Sequence, residues 1–244
     1  MRVYGMMAGR AKSFQAHGHF FRGKSGIEIG GPSAVFTRRG IFPVYPLVAS
    51  LDNVNFSNDT AWNADHPNSG TLFQYDKEKQ TGVQYLGEAT SLDALATGAY
   101  DFVLSSHMLE HTANPIKALT EWKRLLKEHG VLVLIVPSKK FTFDHQRPIT
   151  TIEHLVADFE AGIEEDDLTH MPEILALHDF QRYPDSVDVA AFKDRCLANK
   201  DNRCMHHHVF DAQLLIDLIQ HLELSVRGIE EIAPHHLFVL AQKA

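Results

Sequence analysis

The sequence predicts an α/β fold: a doubly wound, mostly parallel sheet with a helical insertion over residues 138–210, after the fifth strand. Three observations carry this reading. Short apolar runs alternate with helix-like segments from Gly26 to Val136, the pattern of a parallel sheet wrapped by its connections. Val131-Leu132-Val133-Leu134-Ile135-Val136 is apolar without alternation, as in a central strand covered on both faces. From Pro137 to Phe210 helical stretches occur but no strong strand does.

Taken in order, Gly26-Ile27-Glu28-Ile29 reads as a first strand running into Gly30-Gly31-Pro32-Ser33, a tight turn and a helix start. Val44 to Leu51 reads as the second strand, ended by the turn-forming pair Asp52-Asn53. The polar stretch to Gly82 reads mostly as loop, with one short helix around Trp62. Val83 to Leu86 and Asp101 to Leu104 follow as strands, with a short helical segment near Leu92 to Ala96. Asn114 then caps a helix with Pro115 in its first turn, and Ile116, Leu119, Trp122 and Leu126 fall on one face. Lys123, Arg124 and Lys127 suit its C-terminal end, and Gly130 closes it. Asp211 caps a last helix through His221, and Leu224 to Ile232 and Leu237 to Ala241 complete the strands.

At 244 residues and 44% hydrophobic content the chain can bury one core, so residues 1–244 are expected as a single domain carrying the insertion. A formal net charge of −8 offers no cationic footprint, which argues against nucleic acid as a partner. No apolar run is long enough to span a bilayer, and the N-terminal stretch lacks a signal-peptide core. A cytoplasmic protein without a membrane partner is therefore expected, with Cys196 and Cys204 as reduced thiols. Oligomeric state is not legible in the sequence.

The glycine turn lets backbone approach a ligand closely, and a nucleotide site needs in addition a carboxylate for the ribose. Asp52 stands about 20 residues beyond the turn, the usual spacing for that carboxylate. Glu88-Ala89 after the third strand can offer a polar edge and an apolar wall to a base. With these in place, the chain resembles the class I S-adenosylmethionine-dependent methyltransferases of small-molecule type. Its most specific match is Tyr100-Asp101-Phe102-Val103-Leu104-Ser105-Ser106-His107-Met108-Leu109-Glu110-His111, continued through Asn114-Pro115 to Pro137.

That resemblance implies a Rossmann-like, seven-stranded sheet whose last strand is antiparallel, with S-adenosylmethionine as cofactor. It also implies that Glu28, Gly30 and Gly31 surround the methionine part, Asp52 holds the ribose, and Glu88 with Ala89 borders the adenine. Ser105, Ser106 and His107 would line the cofactor's other side. The chain departs from the family in following Gly31 with Pro32-Ser33 rather than further glycines, which removes a backbone donor.

An insertion beyond the carboxyl ends of the strands lies over the site, so residues 138–210 are expected to form a cap for a small-molecule or sugar-like acceptor. Methyl transfer needs in-line approach first and a base only where the acceptor must lose a proton. His107, Asp144 and His145 are the candidates for such a base. His145, Arg147, His206, His207 and His208 are the candidate acceptor contacts. Consecutive residues cannot all face one point, and convergence of Cys196, Cys204, His206 and His208 on zinc matches no usual spacing; no metal is expected. The acidic run Glu164-Glu165-Asp166-Asp167 reads as a solvated surface. Two rival functions remain at this stage: a non-catalytic module that binds the same cofactor, and a nicotinamide-dependent oxidoreductase, which would need a G-x-G-x-x-G run absent here.

Overall fold

The computed structural model describes residues 10–57, 72–182 and 188–244. The helix expected around Trp62 lies outside the described residues. Strands β1 (Ser25–Ile29), β2 (Ser50–Asn55), β3 (Leu72–Phe73), β4 (Gly82–Leu86), β5 (Tyr100–Ser106), β6 (Leu126–Pro137), β7 (Ser225–Ile232) and β8 (His236–Gln242) form one sheet. Its order is β3-β4-β2-β1-β5-β6-β8-β7. Strands β4, β2, β1, β5 and β6 run parallel, whereas β8 is antiparallel to both β6 and β7. The antiparallel last strand is as expected, and the sheet exceeds the expected seven strands by β3, a two-residue edge strand antiparallel to β4.

The helices are α1 (Lys12–His17), α2 (Pro115–Leu125), α3 (Ile152–Ala161), α4 (Met171–Leu177), α5 (Val189–Leu197), α6 (Asn199–Asn202) and α7 (Ala212–His221). Side chains of Asn114 and Asp211 accept from the backbone N–H of Lys117 and Leu214, so both expected caps form. Helix α2 stops at Leu125 and the chain enters β6 directly at Leu126 rather than turning at Gly130. A register shift between Tyr100 and Phe102 absorbs the early start of β6.

The two faces of the sheet are covered differently. Ile116, Leu119 and Trp122 of α2, Leu155 of α3 and Leu214 and Leu218 of α7 pack over Ile27, Val103, Leu132 and Leu134. On the opposite face Phe21, Phe36, Phe42, Val44 and Tyr45, mostly from irregular chain, pack over Phe102, Val133, Ile135 and Phe238. This explains three corrections. The apolar run Val44 to Leu51 is loop up to Ala49, and β2 starts only at Ser50, because Val44, Tyr45 and Val48 are buried as a cover and not as a strand. The chain after the glycine turn makes a single 3-10 turn, Ala34–Phe36, instead of a helix. Residues 92–96 bury Leu92 and Leu95 from turns. Apolar spacing reports burial, and irregular chain can supply it as well as a helix.

Gly26 is required by a close approach: a Cβ there would lie 2.0 Å from the Phe102 ring. Between Ser138 and Phe210 the described residues contain α3 to α6 and no strand. No helix among the described residues is long and apolar enough to cross a membrane.

Candidate active site

The parallel strands end together at Ile29, Asn55, Leu86 and Ser106, and the loops that follow them line a cavity of about 50 Å³. Ile29, Val54, Ala89 and Met108 supply apolar walls; Asn55, Glu88, His111 and Glu165 supply polar edges. Arg203, from the insertion, bounds the cavity: its guanidinium lies 5.0 Å over the Phe56 ring and pairs with Glu88 and, at 3.8 Å, with Glu165. The indole N–H of Trp122 donates to the Ala89 carbonyl at 3.0 Å, so helix α2 fixes the loop after β4.

The glycine turn is tied to β2. Gly30 N–H donates to the Val54 carbonyl at 2.8 Å and Gly31 N–H to Asn53 Oδ1 at 2.9 Å. Asn53 and Asn55 return hydrogen bonds to the Gly31 carbonyl at 3.1 and 3.0 Å. Both glycine amides are thus consumed within the protein, and Gly30 offers the cavity a bare surface at φ +86°. Gly31 does not line the cavity; a Cβ on it would fall 2.3 Å from the Glu28 carboxyl carbon.

Glu28 is fully buried behind the turn and accepts from the Tyr45 hydroxyl at 2.6 Å. Burial pushes its pKa up to about 7, against the hydrogen bonds from Ser33 and Tyr45. It therefore sits behind the cavity wall and not in it. Asp52 departs further from expectation. It lies within β2, three residues before the strand's end, and both its oxygens are used inside the sheet, by Val83 N–H at 2.8 Å and the Tyr100 hydroxyl at 2.9 Å. Three residues are about 10 Å of strand. Asn55, at the end of β2, holds the cavity position expected of Asp52.

Of the expected residues on the far side, Ser105 and Ser106 are buried in β5 and do not line the cavity. His107 turns away at φ +52°, with Nε2 2.8 Å from His236 Nδ1 and Nδ1 3.7 Å from Glu110 Oε1. Burial, then the neighbouring His236 and His235, lower its pKa to about 3, so the ring is neutral at pH 7. Glu88 and Ala89 do line the cavity.

A second, smaller recess of about 10 Å³ adjoins the first; its lining includes Glu110, Pro137, Thr142, Asp144 and His206. Glu110 and His111, successive residues of the 3-10 turn Leu109–His111, each line one of the two spaces. His206 Nδ1 is 2.5 Å from Asp144 Oδ2. Burial raises the Asp144 pKa, but His206 and Arg147 outweigh it and hold it at about 2. Burial likewise works against the charged His206, yet Asp144 raises the net value above the ordinary one. Glu110, fully buried, is pushed up to about 7.

Arg147 is buried and spans this arrangement, donating to Asp144 Oδ1 at 3.0 Å, to the carbonyls of His206 and His207 at 2.8 and 3.0 Å, and to Glu173 at 2.8 Å. Four of its five N–H donors are thus engaged within the protein. His145 pairs instead with Asp179 at 3.4 Å, apart from Asp144. The three consecutive histidines diverge: His206 faces Asp144, His207 lies 3.0 Å from Asn199 Nδ2, and His208 approaches the Ala113 carbonyl at 3.1 Å. Cys196 and Cys204 belong to the insertion's own small core with Phe192 and Met205, so the four residues considered for zinc do not converge.

Residues 64–134 match the profile of a family described as a methyltransferase domain. That match spans 71 of the 244 residues. No curated protein matches it in sequence. Its fold is similar to that of an S-adenosylmethionine-dependent methyltransferase from Mesorhizobium loti, at TM-score 0.53 and 12% identity over 95% of this chain and 96% of that one. It is also similar to 1,6-didemethyltoxoflavin-N1-methyltransferase from Burkholderia thailandensis, at TM-score 0.50 and 13% identity over 96% of this chain and 77% of that one. The cavity residues that sequence reading missed include Asn55, Phe56, Met108, His111, Glu165 and Arg203. The signal for Asn55 was present in the alternation Asn53-Val54-Asn55, which continues β2 past the turn placed at Asp52.

Proposed function

We propose that the cavity at the ends of β1, β2 and β4 holds the nucleoside of S-adenosylmethionine and that the adjoining recess receives a hydroxyl of a small-molecule acceptor. The observation that carries the acceptor assignment is the His206–Asp144 pair at 2.5 Å beside that cavity. Apolar walls flanked by Asn55 and Glu88 suit a base and its ribose in chemistry. Fifty cubic ångströms hold only part of a nucleoside, and Arg203 is the side chain whose withdrawal from Glu88 enlarges the space. Bound there, the cofactor supplies a methyl group on a sulfonium, an electrophile that needs only an aligned nucleophile.

The protein's own contribution is placement and proton transfer. Asp144 engages Nδ1 of His206, which fixes the ring and leaves Nε2 as the nitrogen to accept a proton. Arg147 clamps both members of the pair by holding Asp144 and the His206 carbonyl. A recess the size of one water accommodates a hydroxyl and excludes a ring. Residues 138–210 supply Asp144, Arg147 and His206 and, on this reading, act as the acceptor cap of a single domain.

Incubation with S-adenosylmethionine labelled in the methyl group and panels of small alcohols, sugars and amines tests the reading. Methylated alcohols or sugars, formed by the wild type and lost in His206→Asn, are the expected products. Methylation of amines alone, or full turnover by His206→Asn, overturns the hydroxyl assignment.

A further inference from the structure

Four side chains of the insertion meet at one point, and one of them, His208, also lines the second recess. His154 and Asp158 are four residues apart on α3 and share a face. His170, the residue preceding α4, and His208, in the extended chain before α7, approach that face. His154 Nε2 lies 3.3 Å from His170 Nε2 and 3.3 Å from Asp158 Oδ2, and His208 Nε2 lies 3.6 Å from the same Asp158 oxygen.

We infer that His154, Asp158, His170 and His208 form a tetrahedral site for a divalent transition-metal ion of the zinc class. Zinc binds imidazole nitrogen and carboxylate oxygen at about 2.0–2.2 Å, which in a tetrahedron sets neighbouring donors about 3.3–3.6 Å apart. The three measured separations lie in that interval, and all four donor atoms lie within 4.8 Å of one another. The rings are not stacked. His170 stands at 75° to His154 and 78° to His208, with centroids 5.0 Å apart in each pair. Asp158 Oδ2, shielded from solvent beside the imidazoles of His154 and His208, has no hydrogen-bond partner among the described residues. A buried carboxylate oxygen in that state calls for a cation.

The donor set also defines the ion and its role. Three imidazoles and one carboxylate, without thiolate, suit Zn²⁺ or Co²⁺ over Mg²⁺ or Ca²⁺, which take oxygen ligands. Four protein donors leave no open position, so the ion is structural. His154 keeps its side chain 46% exposed, which gives an ion a route from solvent, whereas His208 is buried and releases the Ala113 carbonyl on coordination. The ion would pin α3, the start of α4 and the extended chain carrying His208 to one another.

The test uses the full chain, stripped with a chelator and titrated with Zn²⁺ and separately with Co²⁺. Stoichiometry is read by metal analysis, geometry by the visible bands of Co²⁺, and stability by thermal unfolding. Wild type is expected to bind one equivalent more than the double variant His154→Ala, His170→Ala, with tetrahedral Co²⁺ bands and a metal-dependent rise in Tm that the variant lacks. Both substituted residues are partly exposed, so the metal-free variant is expected to unfold near the metal-free wild type. Equal stoichiometry in the two proteins, with binding at the other histidine groups around His107 or His111, overturns the assignment. So does an octahedral Co²⁺ spectrum, or a Tm that does not respond to metal.

Discussion

The proposed cofactor side and the proposed acceptor side of the molecule are built by opposite means. On the cofactor side, residues within about 30 positions of one another are brought together by parallel strand register: Gly30 bonds to Val54, and Gly31 to Asn53 and Asn55. On the acceptor side, single side chains reach across long stretches of sequence, as His206 does to Asp144 and Arg147 to the carbonyls of His206 and His207. The first half is fixed by the Gly30–Val54 backbone hydrogen bond and by the amide side chains of Asn53 and Asn55 against the Gly31 backbone. The second depends on individual charged and imidazole groups, and so single substitutions there are expected to remove chemistry while sparing cofactor binding.

The sharpest separation is expected from His206→Asn, which keeps a polar side chain but cannot accept the proton in the same way. Turnover should fall by about 100-fold or more, in the range general bases supply, with S-adenosylhomocysteine affinity within about twofold of wild type. Steady-state kinetics and calorimetry read the two quantities. A parallel loss of cofactor affinity would merge the two halves into one site.

The next effect is on stability and belongs to the cofactor side. Glu28 is buried with its pKa raised from 4.5 to about 7, so the folded state holds a proton that the unfolded state has released between those values. Its contribution to stability is therefore fully favourable below about pH 4.5 and declines as pH rises to about 7, by about 3 kcal/mol in total. Denaturant unfolding from pH 4.5 to 8 should show that decline reduced in Glu28→Gln; an unchanged slope would place the titration elsewhere, in Glu110 or Glu165, which share its direction.

Gly30→Ala comes third. A side chain at φ +86° costs about 1–2 kcal/mol, and its Cβ would sit 2.9 Å from Met108 Cγ on the cavity wall. S-adenosylhomocysteine affinity should drop about tenfold by calorimetry. Asp52→Asn is expected to be smallest for binding, with cofactor affinity unchanged and Tm lowered by a few degrees, since it weakens two hydrogen bonds within the sheet. A tenfold loss of affinity in Asp52→Asn would restore the ribose role that its sequence spacing suggests.

These expectations track what the sequence made legible. The central run Val131 to Val136 and the caps Asn114 and Asp211 were readable because burial on two faces and local hydrogen bonding leave a mark within a few residues. Val44 to Leu51 misled, since covering the second face of the sheet with loop demands the same apolar residues as a strand. The same misreading ended β2 at Asp52, whereas the strand continues to Asn55, which lines the cavity. Asp144 and His206 were each singled out, but their pairing was invisible, because nothing local records a contact 62 residues away. Glu165 looked like part of a solvated acidic run, and only the fold turns it toward Arg203 and the cavity.

The division of labour between the two spaces is tested most directly by calorimetric titration of S-adenosylhomocysteine into wild type, Ala89→Trp and His206→Asn, each shown to unfold as cooperatively as wild type. The larger side chain fills the cavity between β1 and β4, so binding to Ala89→Trp should weaken by about 100-fold or more while His206→Asn binds as wild type does. Undiminished binding to Ala89→Trp would contradict the placement of the cofactor.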